Sequence, residues 1–191
     1  LNKKQLKLSP IIRTVTSSLS FIRDLWLFIY FCNGINVADL INLKFSDIQN
    51  GEISFIREKT KDRTRDTKRI YAPITPEMQS IIEKWGNNPR KSIYIFPFMK
   101  AGDDAWEHEK KKKNLTKHIN DRMKVIGEKL NIGKITTYVA RHTYATVLRN
   151  EGVPVSIISP MLGHTSITTT EIYLADLESE NRARNASLLS F

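Results

Sequence analysis

Residues 161–173 read Met161-Leu162-Gly163-His164-Thr165-Ser166-Ile167-Thr168-Thr169-Thr170-Glu171-Ile172-Tyr173. Pro154 opens a short helix that carries Val155, Ile158 and Met161 at helical spacing. Gly163 stops it, because glycine tolerates the left-handed conformation of a helix C-terminus. Ser166 caps a further helix that runs through Ile172 and Tyr173. Taken one at a time these residues are ordinary. A histidine in the last turn compensates the helix dipole, and a tyrosine on such a helix is most often a half-buried aromatic.

Working outward, Thr136 or Thr137 caps a helix that continues to about Asn150 and contains Arg141-His142-Thr143. A lone arginine there is most often a surface residue or an ion-pair partner. Leu115, Ile119, Met123, Ile126 and Leu130 form another helical stripe, preceded by Asp103–Lys113, read as a charge-rich loop ending in four lysines. Pro76 starts a helix to about Trp85, and Ser92–Phe96 reads as a short buried strand or extended piece. Ile53, Phe55 and Arg57 alternate with Ser54 and Ile56, and Arg69–Ala72 supply a return strand before Pro73. The tract between them is too polar to bury and reads as a basic hairpin tip. Val37–Leu43 predicts a short helix with Ala38 and Asp39 in its first turn. Ser9-Pro10 opens the first helix, with Val15, Leu19, Ile22, Trp26 and Ile29 on one stripe, a candidate break at Ser17-Ser18, and Asn33-Gly34 at its end. Leu177, Leu188 and Leu189 suggest a final amphipathic helix over 177–191. The fold class is therefore α+β, mostly helical, with one small antiparallel hairpin or sheet.

The chain has 191 residues, a length that suits one domain, and 40% apolar with 26% charged residues argues against wholesale disorder. Its longest apolar stretch, Leu25–Cys32, is far short of the ~20 residues needed to span a bilayer, so no membrane role is expected. Thirty Lys plus Arg against twenty Asp plus Glu give a net charge of +10, which makes a polyanion the default partner. One cysteine, Cys32, fits a reducing cytoplasm. With four histidines, one cysteine and no carboxylate at helical spacing from His142 or His164, no metal-ligand cluster joins these motifs and a zinc site is improbable; no Gly-rich phosphate loop is present.

Together the motifs are specific. Arg141-His142-Thr143-Tyr144-Ala145-Thr146, the Leu-Gly-His at 162–164 and Tyr173 resemble the C-terminal signature of the tyrosine recombinases, the phage-integrase family. Gly34-Ile35-Asn36-Val37-Ala38-Asp39-Leu40-Ile41-Asn42-Leu43 with Asp47-Ile48 is similar to that family's upstream box. The resemblance covers nearly the whole chain and implies the family's catalytic core with its small antiparallel sheet. Two departures stand out: the family's first arginine falls on Asn36, beside Asp39 in place of Glu, and its first histidine is Tyr138. The wording around these positions resembles the branch found on Bacteroidetes mobile elements.

Phosphodiester chemistry accounts for these residue types. Attack by a phenolic oxygen builds negative charge on the phosphate oxygens, and fixed arginine and histidine donors can stabilise it as a metal would. The resemblance implies Tyr173 as nucleophile, which needs a cationic surrounding or a base because a phenol titrates near ~10. It implies Arg141 as a bidentate grip on the non-bridging oxygens, His164 as a donor to the same phosphate, and Tyr138 as a positioning group. Lys59 is implied as the acid that protonates the leaving 5′ hydroxyl. The plainer alternative is that Lys59 holds DNA backbone, together with Arg57, Lys61, Arg63, Arg65 and Lys68. Lys111, Lys112 and Lys113 form a second candidate phosphate contact, although such runs are usually solvated. Asn36, Asp39 and Arg23 are auxiliary candidates. Arg23 could supply the missing cation by folding back from the first helix; an ion pair with Asp24 is its competing explanation. No metal, ATP or other cofactor is expected.

The implied protein is a site-specific DNA recombinase, an integrase acting through a 3′-phosphotyrosyl intermediate, in the cytoplasm with the nucleoid. A non-catalytic DNA-binding relative that has lost activity is the alternative, and a type IB topoisomerase a more distant one. The expected partners are double-stranded DNA, further copies forming a tetramer in the synaptic complex from a monomer when free, and accessory DNA-bending proteins. Residues 1–8 read as an interdomain linker remnant, 9–176 as the catalytic domain, and 177–191 as a tail helix. That tail is exchanged between protomers or packed on its own domain.

Overall fold

The computed structural model describes residues 17–59 and 69–176. Helix α1 (Ser17–Phe31) forms the centre of the molecule, packed against three later helices: α3 (Pro76–Trp85), α4 (Ala105–Lys129) and α5 (Thr137–Asn150). It can do so because Ile22, Leu25, Phe28 and Ile29 are fully buried, with Trp26 beside them, so apolar groups lie on most of its circumference. The indole of Trp26 donates to the Thr136 carbonyl at 2.7 Å and ties α1 to the start of α5. Asp24 is the exception in this apolar surface. Its carboxylate accepts from Arg23 Nε at 2.7 Å, Trp85 Nε1 at 2.8 Å and Lys84 Nζ at 3.1 Å, which offsets its desolvation.

After Asn33 and Gly34, both at positive φ, come the single-turn α2 (Val37–Leu40) and a 3-10 turn at Phe45–Asp47. A three-stranded antiparallel sheet follows in the order β1 (Ile48–Gln49), β2 (Glu52–Ile56), β3 (Arg69–Pro73). Ile53 faces Ala72 and Phe55 faces Ile70, and these four residues bury one side of the sheet. Asn33 joins the parts: its amide donates to the Tyr71 carbonyl at 2.8 Å, and its Oδ1 accepts from Tyr144 at 2.8 Å.

Thr75 and Pro76 start α3, with the Thr75 hydroxyl accepting from the Met78 N–H at 3.2 Å. The strand or extended piece expected at Ser92–Phe96 carries a single bridge, between Lys44 and Tyr94. The loop expected at 103–113 is helix instead. Asp104 caps α4 by accepting from the Glu107 N–H at 2.8 Å, and the four lysines lie within its first turns. Lysine is a good helix former, and Lys112 and Lys113 pair with Glu109 one turn back, so the tract needs no apolar stripe to stay helical.

The last described elements are α6 (Val155–Met161) and α7 (residues 167–176). Ser166 caps α7, accepting from the Thr168 N–H at 3.2 Å. Ala145, Ile158, Leu162 and Leu174 form a small apolar cluster beneath these helices, separate from the main core. The linker at 1–8, the helix start at Ser9-Pro10, the hairpin residues Lys61, Arg63, Arg65 and Lys68, and the tail at 177–191 lie outside the described residues.

Candidate active site

A cleft of about 530 Å³ gathers side chains from elements far apart in sequence. Asn36 and Asp39 come from the start of α2, Arg57 and Lys59 from the turn after β2, and Lys112 from α4. Tyr138 and Arg141 come from α5, His164 from the turn after α6, and Tyr173 from α7.

Arg141 forms the floor, only 6% exposed. Nη1 donates to the Gly34 carbonyl at 3.0 Å, and Nη2 donates to the Leu162 carbonyl. Nη2 also lies 3.3 Å from His164 Nε2. A guanidinium only donates, so Nε2 is the acceptor, and the His164 proton sits on Nδ1, donated to Thr170 Oγ1 at 2.8 Å. Arg57 reaches the same floor from the sheet, donating from Nη1 to the Gly163 carbonyl at 2.9 Å. Asp39 accepts from the Glu58 N–H at 2.7 Å, which pins the turn that presents exposed Lys59.

The charges follow from burial. Burial pushes the Arg141 pKa down to about 10, with Arg57 adding repulsion, and the group is still charged at neutral pH. Burial likewise lowers Arg57, against the favourable charge of Asp39. Burial raises the Asp39 carboxyl, opposed by the Glu58 N–H, Arg57 and the Asn36 amide. His164 is pushed down to about 4 by burial, then by Arg141 and Arg57, so its ring is neutral at pH 7. Two guanidinium groups, two lysines and a neutral imidazole outweigh the carboxylates of Asp39 and Glu58 around this cleft, which suits an anionic centre, and the phenols of Tyr138 and Tyr173 border it.

Arg23 requires a correction. It binds Asp24 from Nε at 2.7 Å and from Nη2 at 2.5 Å, and it is not among the cleft residues. Paired with Asp24, whose carboxylate also takes donors from Lys84 and Trp85 of α3, it lies outside the cleft and does not stand in for the arginine missing at Asn36. Arg57 is the second guanidinium of the cleft. Of the lysine run, only Lys112 lines the cleft. Lys111 turns to Asp103 at 2.5 Å, and Lys113 lies 3.4 Å from Glu109. Tyr138, 58% exposed, stands at the rim with its ring centroid 6.1 Å from that of Tyr173.

Sequence reasoning did not single out His142, whose ring stacks on Tyr173, or fully buried Thr170, which orients His164. Both lie inside the quoted motifs, so their position was the available signal. Among the described residues no group of three His, Cys, Asp or Glu side chains is placed to hold a metal ion. No helix of the described residues is long and apolar enough to cross a membrane. A second cavity, of about 510 Å³, is bordered by Asp39, Asp47, Glu58, Asp103 and Asp104 against Lys44 and Arg69, so carboxylates outnumber cations there.

Residues 5–180 match the phage integrase family. The tyrosine recombinase XerA of Pyrococcus furiosus is 31% identical over 155 residues, covering 80% of this chain and 50% of that protein. The chain spans about half the length of the curated relatives it matches. Among solved structures, the XerH site-specific recombinase bound to palindromic difH substrate, a post-cleavage complex, has a TM-score of 0.62 at 19% identity. It covers 99% of this chain and 52% of that one. A lambda integrase dimer bound to a COC′ core site has a TM-score of 0.58 at 18% identity over 91% of this chain and 58% of that one, a likeness of fold.

Proposed function

This chain belongs to the phage integrase family, and from that premise we propose that it is the strand-cutting part of a site-specific DNA recombinase. The observation that carries the reading is the convergence of Arg57, Lys59, Arg141, His164 and Tyr173 on one cleft from four separate segments of the chain.

In the proposed step, Tyr173 releases its proton to water and its phenolic oxygen attacks a DNA phosphorus. An O–P bond forms to Tyr173, and the bond from phosphorus to the 5′ oxygen breaks. The product is a 3′-phosphotyrosyl link and a free 5′ hydroxyl. Arg141 and Arg57 hold the non-bridging oxygens, with Arg57 supplying the charge that Asn36 cannot. Lys59 delivers a proton to the departing 5′ oxygen. Once Arg141 moves its Nη2 to the non-bridging oxygens, the charge of the phosphate favours a proton on His164 Nε2, which then donates to the phosphate. Tyr138 and Asp39 position the nucleophile and the lysine turn. The reverse reaction rejoins strands with no net loss of a phosphodiester bond, so the chemistry needs no nucleotide. Double-stranded DNA is the proposed partner, with Lys112 and the basic hairpin on its backbone, and assembly into a tetramer the proposed working state. The substitutions at Asn36 and Tyr138 favour one other reading, a DNA-binding relative that no longer cuts.

The test is adduct trapping on nicked duplexes chosen by this protein from a random-sequence pool. The unsubstituted protein is expected to become covalently attached to DNA, and Tyr173→Phe to bind with unchanged affinity without attachment. Attachment by the Phe variant would remove Tyr173 as nucleophile. Binding by the unsubstituted protein without attachment would favour the non-cutting relative.

A further inference from the structure

His142 follows Arg141 on α5, yet its ring meets the tyrosine of the cleft. The imidazole stacks on Tyr173 with centroids 4.9 Å apart and ring planes 29° from parallel. Tyr138 sits one helical turn before His142, and its ring meets the imidazole at 3.8 Å and 83°. Tyr138 and His164 approach Tyr173 at 80° each, with centroids 6.1 and 5.8 Å away. The Tyr173 ring therefore has one face against His142 and two neighbours set across its plane.

The histidine keeps this position at a cost. Its Nδ1 is buried with no hydrogen-bond partner among the described residues, a penalty that a rotamer facing solvent would relieve. Burial, then the charge of Arg141, pushes its pKa down to about 4. A neutral ring adds no third cation beside Arg57 and Arg141 and has no spare proton for catalysis near pH 7. Its stacked face is the part that bears on Tyr173.

Resting on the reading of Tyr173 as nucleophile, we propose that His142 is a positioning residue whose flat ring fixes the plane of Tyr173 and so the line of attack of its phenolic oxygen. The contact comes from the middle of a long, packed helix, whereas Tyr173 stands on a helix held by a small apolar cluster. The rigid element thus restrains the less firmly held one. A misplacement of ~1 Å in a reacting group costs on the order of 10²-fold in rate.

His142→Ala and His142→Phe separate the ring from its nitrogens. On saturating nicked duplex, His142→Ala is expected to slow covalent attachment on the order of 10²-fold at unchanged DNA affinity. His142→Phe, which keeps a flat ring, should recover most of that rate. The DNA-free protein labelled with 3-fluorotyrosine gives a readout independent of activity, its Tyr173 resonance assigned by its loss in Tyr173→Phe. That resonance should lie away from the unfolded position in the unsubstituted and Phe proteins and move toward it in the Ala protein. An Ala protein with unchanged rate or unchanged resonance overturns the proposal. So does a Phe protein as slow as the Ala protein. If the unsubstituted protein forms no adduct while the fluorine spectra respond as expected, the recombinase reading fails and the ring restraint survives as a contact without catalytic purpose.

Discussion

Arg57 and Arg141 each rest on a glycine. A Cβ on Gly163 would lie 2.5 Å from Arg57 Cδ and 2.4 Å from Ile70 Cδ1, and one on Gly34 would lie 2.7 Å from Arg141 Cα. Both glycines have left-handed backbones, φ +65° and +63°, which other residues adopt at a cost. The sequence reading of Gly163 as a helix stop was sound locally; that the same glycine makes room for an arginine 106 positions upstream is a tertiary fact no local pattern contains. Arg57 itself was legible to a degree. It continues the parity of Ile53 and Phe55, the buried face of β2, so its guanidinium was bound to turn inward or to end the strand. Arg23 misled because nearness in sequence to Asn36 does not survive the rotation of a helix. On this basis Arg57→Ala should slow covalent attachment ~10²–10³-fold, the usual cost of losing one transition-state donor. Arg23→Ala should leave that rate unchanged and lower the melting temperature, because buried Asp24 loses one of its donors. A normal rate in Arg57→Ala would return Arg57 to plain backbone binding.

At the scale of elements, α7 is held differently from the rest. Its inward residues are Thr170, bonded to His164, and Leu174, 1% exposed in the small cluster with Ala145, Ile158 and Leu162. Ile167 and Ile172 on the same helix are exposed. The free energy of opening a segment follows the apolar contacts it buries, so α7 should open well before α1, whose inward residues lie in the main core. The capping residue Ser166 made α7 visible in the sequence, as Pro76 did for α3. The start of α4 was missed because its first turns carry charge without apolar periodicity; Asp104, with its side chain on the Glu107 N–H, was the unread cue. Strand β1 was missed because two residues are too few to show alternation. Leu174→Ala removes a buried leucine, a change that costs about 2–5 kcal/mol where the site cannot collapse. Amide exchange in residues 167–176 should accelerate by ~30-fold or more, since 1.4 kcal/mol is a factor of ten, while exchange in α1 stays unchanged. Equal acceleration in both would mean that α7 opens only when the whole domain unfolds.

Across the whole molecule, a net charge of +10 coexists with two uncharged imidazoles, His164 in the cleft and His142 against the Tyr173 ring. The composition made the basic surplus evident, but the neutral histidines depend on burial beside Arg141 and could not be read from it. They impose a definite pH dependence. His142 and His164 have folded pKa values of about 4 against an ordinary value of 6.5. Above pH 6.5 the folded and unfolded chains both hold them neutral, and the full stability is present. As the pH falls from 6.5 toward 4, the unfolded chain takes up protons that the folded chain refuses, so unfolding gains ground. Below about 4 both states are charged, and the loss is complete. Asp24, lowered below 3.8 because its hydrogen bonds outweigh its burial, adds its own loss only at more acid pH. Asp39, raised by burial, acts in the opposite sense and offsets part of the fall. The melting temperature at constant ionic strength should therefore drop between pH 7.5 and pH 5, and the drop should shrink in a protein carrying His142→Phe and His164→Gln together. A phosphate in the cleft would work against this loss: its charge cancels the repulsion of Arg141 and Arg57 on His164 and raises that group's affinity for a proton. The pH-induced drop should thus be smaller with duplex DNA bound than without it. Melting curves that fall equally with and without DNA would mean that the phosphate does not sit against His164.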